Sequence, residues 1–193
     1  FSVPVRAAAL APLPDTSTAT ELGRLVLRDP VGFNAETWFL ARCFHALAAE
    51  GFTGVVAFSD PMPRRDAAGH TVFAGHVGQI YAASSAVYLG QRRAGTLRLL
   101  PDGTVFSARA MSKIRLGERG WRYAVEQLVT AGAEAPAKTT ADELAAWLPR
   151  ALDAVTRPAK HPGNHKYVIP LDRATRRAMP ASLPYPRLGL PAN

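Results

Sequence analysis

The sequence predicts an α+β protein with a central, mixed, twisted sheet flanked by helices. Three observations carry that expectation. A strand, an amphipathic helix and a second strand succeed one another between residues 21 and 61. The later apolar runs are short and joined by tight turns, which favours antiparallel pairing. Helical patterning then returns between residues 121 and 156.

Each element follows from local chemistry. ELGRLVLRD (21–29) reads as a strand stopped by Asp29-Pro30, because proline lacks a donor and restricts its predecessor. Asn34 is an expected N-cap, with Thr37 three positions on. AETWFLARCFHALAAEG (35–51) is then an amphipathic helix. Trp38, Phe39, Cys43, Phe44 and Leu47 recur at helical spacing, and Gly51 closes it. GVVAFSDP (54–61) reads as a buried strand, which completes a right-handed βαβ unit.

Residues 62–75 read as a polar loop punctuated by glycine and proline, followed by a short helix around Val77–Ser84 and a strand at 86–91. TLRLLPDGTVFSA (96–108) is a hairpin turning at Pro101-Asp102-Gly103. Helices follow at 121–133 and, after the capping box Thr140-x-x-Glu143, up to about Thr156. RPAKHPGN breaks the second of these, HKYVIPLD (165–172) reads as a final strand, and no internal repeat is visible. The expected organisation is a single domain over 1–193, with a helical insertion at 134–164 and a basic, proline-rich tail at 173–193.

Composition narrows the function. Of 193 residues, 48% are hydrophobic, enough for a real core. No apolar run approaches membrane-helix length, so no membrane partner is expected. FSVPVRAAALAPLP lacks the basic and apolar regions of a signal peptide, and the start at Phe1 reads as a trimmed chain. One cysteine, Cys43, leaves no intrachain disulfide, so cytoplasmic residence is the default. The net charge of +8 is uneven: residues 1–90 hold 6 Lys/Arg against 7 Asp/Glu, and residues 91–193 hold 17 against 8. A polyanionic partner such as DNA fits that excess, and so does a soluble protein of an arginine-rich proteome.

The order of elements, with ELGRLVLRD, a loop and a helix, then a strand and A-x-x-x-x-Y, resembles the GNAT acyltransferase core. More narrowly, FSDP…GHVGQIYAASSAVYLG, LPDGTVFSARAMSK and HKYVIPLD…LPYPR look like the phage Mom branch of GNAT-like proteins. The resemblance covers roughly 20–125 and 164–187. It implies a GNAT-like fold and an acyl or carbamoylmethyl-type modification of the exocyclic N6 amine of adenine in DNA. Tyr81 takes the position of a general acid in that resemblance, and the loop before the first helix takes that of the donor's pyrophosphate cradle, which makes Arg28, Asn34, Ala35, Glu36 and Thr37 donor-binding candidates. RDPVGFN departs from the usual glycine-rich donor loop by one position and lacks the final small residue. Acyl-coenzyme A or another activated donor, such as an aminoacyl ester, therefore both stay open.

The residues themselves add further candidates. Ser59 and Asp60 end the GVVAFSDP strand, where ligands meet α/β sheets. His76 sits at a helix start whose dipole would keep its imidazole neutral and able to accept a proton. An adenine amine is a weak nucleophile paired inside the duplex. The enzyme must then extrude the base, or act on single strands, and hold it between apolar walls such as Trp38, Phe58, Tyr81 and Tyr88. Phosphates would meet Arg92, Arg93, Arg109, Ser112, Lys113, Arg115, His165 and Lys166, with SARAMSKIR (107–115) the strongest single patch.

No metal site is expected from the scattered histidines, although a His76–Asp60 pair with a third ligand would suit iron or zinc. Two rival functions share these features. One is an acyl-coenzyme A-dependent N-acyltransferase acting on a small amine or protein. The other is a nucleic-acid-binding domain without catalysis.

Overall fold

The computed structural model of the chain describes residues 1–4, 7–27 and 31–187. Arg28 and Asp29, the end of the expected first strand, lie outside the described residues. After a 3-10 turn at Ala7–Ala9, the elements in chain order are β1 (Ala19–Leu22), α1 (Ala35–Ala49), β2 (Gly54–Ser59), β3 (Arg64–Arg65) and β4 (Thr71–Phe73). Then come α2 (Gln79–Ala83), β5 (Val87–Gln91), β6 (Gly95–Leu99), β7 (Val105–Phe106), α3 (Ala108–Leu116) and α4 (Trp121–Thr130). The last are α5 (Ala141–Val155), β8 (Arg157–His161), β9 (His165–Pro170) and α6 (Arg173–Ala178). Among the described residues this is an α+β protein of six helices and several sheets.

The residues divide into two compact units. The first, the sheet unit, comprises 1–61, 76–93 and 163–193. Its sheet runs β1-β2-β9-β5. β1 and β2 are parallel, from Ala19 opposite Gly54 to Leu22 opposite Ala57, as the βαβ expectation requires. β9 pairs antiparallel with both β2 and β5. The two central strands are apolar on both faces, with Val55, Val56, Ala57, Tyr167 and Val168 fully buried. One face carries Val55, Ala57, Tyr88, Tyr167 and Ile169 against Leu40 of α1 and Tyr81 of α2. The other carries Val56, Val87 and Val168 against Leu10, Leu13 and Met179.

Several local expectations change. β1 is shorter than its apolar run, and beyond Leu22 the chain leaves regular structure. The stripe of α1 that packs on the sheet is Leu40, Phe44 and Leu47, whereas Trp38 and Phe39 are 57% and 44% exposed. A helix on a sheet buries a narrow i, i+4, i+7 stripe, and positions 38 and 39 fall off it. Asn34 sits at the N-cap position in the left-handed region (φ 64°, ψ 10°) and makes no capping bond. Capping needs extended backbone at that position, and Thr37 Oγ1 instead donates to the Asn34 carbonyl at 3.0 Å. Gly51 ends α1 as expected, at φ 88°, with Phe52 N donating to Leu47 O at 3.0 Å.

The expected tail is partly structured. Asp172 caps α6 by accepting from Thr175 N at 2.8 Å. Further on, Leu183 N donates to Tyr88 O at 3.0 Å, Tyr88 N to Ser182 Oγ at 3.0 Å, and Tyr185 Oη to Ala86 O at 2.5 Å. The segment thereby covers the outer edge of β5, which would otherwise present unpaired backbone groups.

The second, the helical unit, comprises 62–75 and 94–162. It holds the β3-β4 hairpin, a three-stranded β7-β6-β8 sheet, and α3, α4 and α5. The hairpin at Pro101-Asp102-Gly103 is present, with β6 and β7 antiparallel. Four elements escape the sequence reading: β3 and β4 form a hairpin inside the expected 62–75 loop, and β8 and α3 are the other two. β8 contains Pro158 and lies at a sheet edge, where the missing donor is tolerated. The SARAMSKIR patch is a helix, α3, started by Ser107 Oγ accepting from Ala110 N at 3.1 Å. Its inner side carries Ile114 into a core shared with Leu128 of α4 and with Leu144, Trp147 and Leu148 of α5. Thr140 opens α5 in extended backbone but makes no side-chain capping bond.

Candidate active site

The carboxyl end of β2, the start of α2 and the run after β1 meet around one cleft. Leu22, Gly23, Arg24, Leu25 and Leu27 form one wall, and Phe58, His76, Ile80, Tyr81 and Glu36 form the rest, enclosing about 390 Å³. The departure of the chain from β1 at Gly23 is thus what supplies a wall. All of these residues belong to the sheet unit.

Tyr81 is buried in α2, with its hydroxyl 3.4 Å from the Phe58 carbonyl. That bond is long, so the phenol keeps capacity for a nearer acceptor. Burial raises its pKa above the ordinary tyrosine value, which holds the proton on oxygen at neutral pH. His76 is tied to the end of β2 through its backbone, since His76 N donates to Asp60 O at 2.8 Å. Burial lowers the imidazole pKa, and the nearby Asp60 charge opposes that shift without reversing it. Desolvation is the larger cause, and His76 lies ahead of α2, which is only five residues long. Gly78, in the left-handed region at φ 72°, lets the chain enter α2 with both rings close by. A Cβ there would stand 2.7 Å from Tyr81 and 2.9 Å from Tyr167.

Beneath Tyr81 lies a layer of aromatic polar groups, in which the sequence reading missed Tyr167 and gave Tyr88 and His165 other roles. The Tyr167 ring centroid is 5.2 Å from Tyr81 and 5.1 Å from Tyr88. Tyr167 is wholly buried, and its hydroxyl donates to Val77 O in a short bond. Burial pushes this phenol up to about 12. The Tyr88 hydroxyl and His165 Nδ1 are 2.7 Å apart, and burial lowers the His165 pKa. The alternation of HKYVIP, which puts His165 and Tyr167 on one face of β9, was the available signal.

The other sequence candidates fall in several places. Ser59 ends β2, 1% exposed, with no hydrogen bond to its Oγ. It adjoins the Tyr167 hydroxyl, not the cleft. Asn34, Glu36 and Thr37 line an adjacent cleft of about 500 Å³ with Val31, Gly32, Phe33, Gln79, Ile80 and Ala83. Glu36 and Ile80 are common to both clefts. Ala35 opens α1 beside them, and Arg28 lies outside the described residues. Of the expected base-pocket walls, Tyr81 lines the first cleft, Phe58 reaches it through its carbonyl while its ring packs on the opposite face of the sheet, Tyr88 lies beneath it and Trp38 is elsewhere, its ring under the Arg42 guanidinium at 3.6 Å.

Among the phosphate candidates, Arg92 and Lys166 stand 5.5 and 5.8 Å from the Phe58 ring centroid. Strand alternation turns that ring away from the Ser59 face. Lys166 Nζ donates to Ala9 O at 2.6 Å. Arg93 is exposed, and His165 is buried against Tyr88. Arg109, Ser112, Lys113 and Arg115 lie on α3 of the helical unit. No three His, Cys, Asp or Glu side chains converge among the described residues, and no helix there is long and apolar enough to cross a membrane.

The Mom protein family matches the chain over residues 4–187. The chain belongs to the Mom family. That membership places this Mom-family protein among phage-related DNA-modification proteins, with DNA as the substrate and an enzymatic role. No curated protein and no solved structure matches it.

Proposed function

We propose that this Mom-family chain is a GNAT-type transferase that acylates the exocyclic N6 amine of adenine in DNA. The observation that carries the reading is that His76 and Tyr81 line one cleft, with Asp60 bonded to the His76 backbone. Its volume of about 390 Å³ lies in the range of small-ligand clefts. An extruded adenine enters between the wall from Leu22 to Leu27 and the side chains of Ile80 and Tyr81. The activated acyl donor occupies the neighbouring cleft at the start of α1, beside Asn34, Glu36 and Thr37.

The step balances as follows. N6 attacks the carbonyl carbon of the donor and a C–N bond forms, while the bond from that carbon to its leaving group breaks. Neutral His76 takes the amine proton, and Asp60 favours the imidazolium that results. Tyr81 gives its phenolic proton to the leaving group, and proton exchange with solvent restores both groups. The net proton transfer runs from adenine to the leaving group.

DNA from cells expressing the protein, digested to nucleosides and weighed by mass spectrometry, should contain a heavier deoxyadenosine. Tyr81→Phe should lower its yield by about 10²–10⁴-fold while the fold persists, because the hydrogen bond removed is only a long one. Unmodified deoxyadenosine, or full yield from Tyr81→Phe, would overturn the reading.

A further inference from the structure

The helical unit has no part in the chemistry proposed above, yet it is built with an unusual separation of faces. α3 and α4 are joined by four residues, Gly117–Gly120. Gly117 turns the chain in the left-handed region (φ 62°), Glu118 N donates to Lys113 O at 3.1 Å, and Trp121 N donates to Glu118 O at 3.0 Å. Two helices joined by a short glycine-containing turn, with a third packed across both, is the frame of a helix–turn–helix. The third helix here is α5, whose Leu144, Trp147, Leu148 and Ala151 share a core with Ile114 of α3 and with Ala124, Val125 and Leu128 of α4.

Burying that stripe turns the opposite side of α4 outward, where Tyr123, Glu126 and Gln127 line an open cleft of about 580 Å³ with Pro101, Asp102 and Thr104. Arg122, Tyr123 and Glu126 are exposed there and Gln127 is half-buried; Tyr123 is 67% exposed. Arginine, glutamine and glutamate are the side chains whose donors and acceptors match guanine, adenine and cytosine edges in the major groove. Cations precede α4 in the chain: Lys113 and Arg115 in the last turn of α3, then Arg119 in the connection. Lys113 folds over the turn, its Nζ 3.3 Å from where a Cβ on Gly120 would stand. Arg109 is committed to Glu118 at 2.8 Å.

We infer that α3, the glycine turn and α4 form a helix–turn–helix that docks duplex DNA, with Arg122, Tyr123, Glu126 and Gln127 of α4 in the major groove setting which sequences are modified. Lys113, Arg115 and Arg119 hold the phosphates on either side of that groove. The inference rests on DNA being the substrate but not on the acyl-transfer chemistry. A binding readout therefore separates its failure from failure of the proposed reaction.

The test uses the full chain and a library of duplex oligonucleotides randomised over a short central segment, with selection by binding alone. The wild-type protein should enrich a motif, and a combined Glu126→Gln, Gln127→Ala variant should lose about 10-fold in preference for it, or enrich another. A double Arg115→Ala, Arg119→Ala variant should keep the motif, bind more weakly, and show a salt slope shallower by about 2. Circular dichroism should be unchanged in both, since the altered side chains are exposed or half-buried. The same motif from the α4 variant, an unchanged salt slope in the arginine variant, equal binding of single strands, or no duplex binding would each overturn the inference.

Discussion

The sheet unit and the helical unit solve burial in opposite ways. The sheet unit places hydroxyls and imidazoles in its interior, with Tyr81, Tyr88, Tyr167, Ser59 and His165 all buried. The main core of the helical unit is apolar, built from leucine, isoleucine, valine, alanine, phenylalanine and one tryptophan, and His161 of β8 is the buried imidazole among its described residues. Buried polar groups raise pKa values of acids and lower those of bases, which is costly for stability but useful for proton transfer. An apolar core fixes helices rigidly and leaves their outer faces available for a charged partner. The proposed functions follow that contrast, with reaction in one unit and docking on the other.

The largest effect that would probe this contrast is expected in the helical core. Trp147 is buried in α5, and its indole Nε1 donates to Glu134 O at 2.8 Å. Trp147→Ala should cost about 3–5 kcal/mol by cavity formation and loss of that bond. Urea denaturation would show this, and a cost below about 1 kcal/mol would mean that the helices do not depend on their shared core.

Next comes a paired glycine experiment. A Cβ at Gly78 meets the rings of Tyr81 and Tyr167, whereas one at Gly117 meets nothing within 4 Å. Both have positive φ. Gly78→Ala should cost about 2–4 kcal/mol, combining overpacking with backbone strain, and should disturb the modification reaction. Gly117→Ala should cost only the strain, about 1–2 kcal/mol. Equal melting shifts in the two variants would remove the claim that the tyrosine layer is tightly packed.

The smallest effect is a pH dependence in the sheet unit. His76 and His165 have pKa values lowered by burial from 6.5. The unfolded chain therefore binds more protons than the folded one as pH falls through 6.5. Stability is fully present above that value and declines as pH drops toward the folded pKa values. Replacing His165 with Gln should flatten part of the decline between pH 7.5 and 5.5, measured by thermal melting. An unchanged profile would mean that the imidazole is not held neutral by its surroundings.

Much of this architecture was legible in the chain. Periodicity and breakers placed α1, β2, α2, β5, the 101–103 turn, α4, α5 and β9, because local preference and tertiary packing agree there. They disagree at α3, where a run of cations disguised a capped helix whose large apolar residues in the core are Met111 and Ile114, Leu116 being exposed. They disagree again at β8, where Pro158 argued against a strand that the sheet edge tolerates. Asn34 had the right side chain for a cap, but its left-handed backbone withholds it from the helix.

By itself the sequence determined the α+β class, the basic second half, and the nearness of Asp60, His76 and Tyr81, since one strand end and one short helix flank a single loop. Only the tertiary structure decided that Tyr167 and the Tyr88–His165 pair lie beneath Tyr81, that Ser59 faces inward, and that Arg92 and Lys166 flank Phe58 on the far face of the sheet. The reason is range. Capping, turns and periodicity act within a few residues, whereas β9 inserts between β2 and β5 from about a hundred positions along the chain. Its register sets which side chains share a face, and no local preference encodes it.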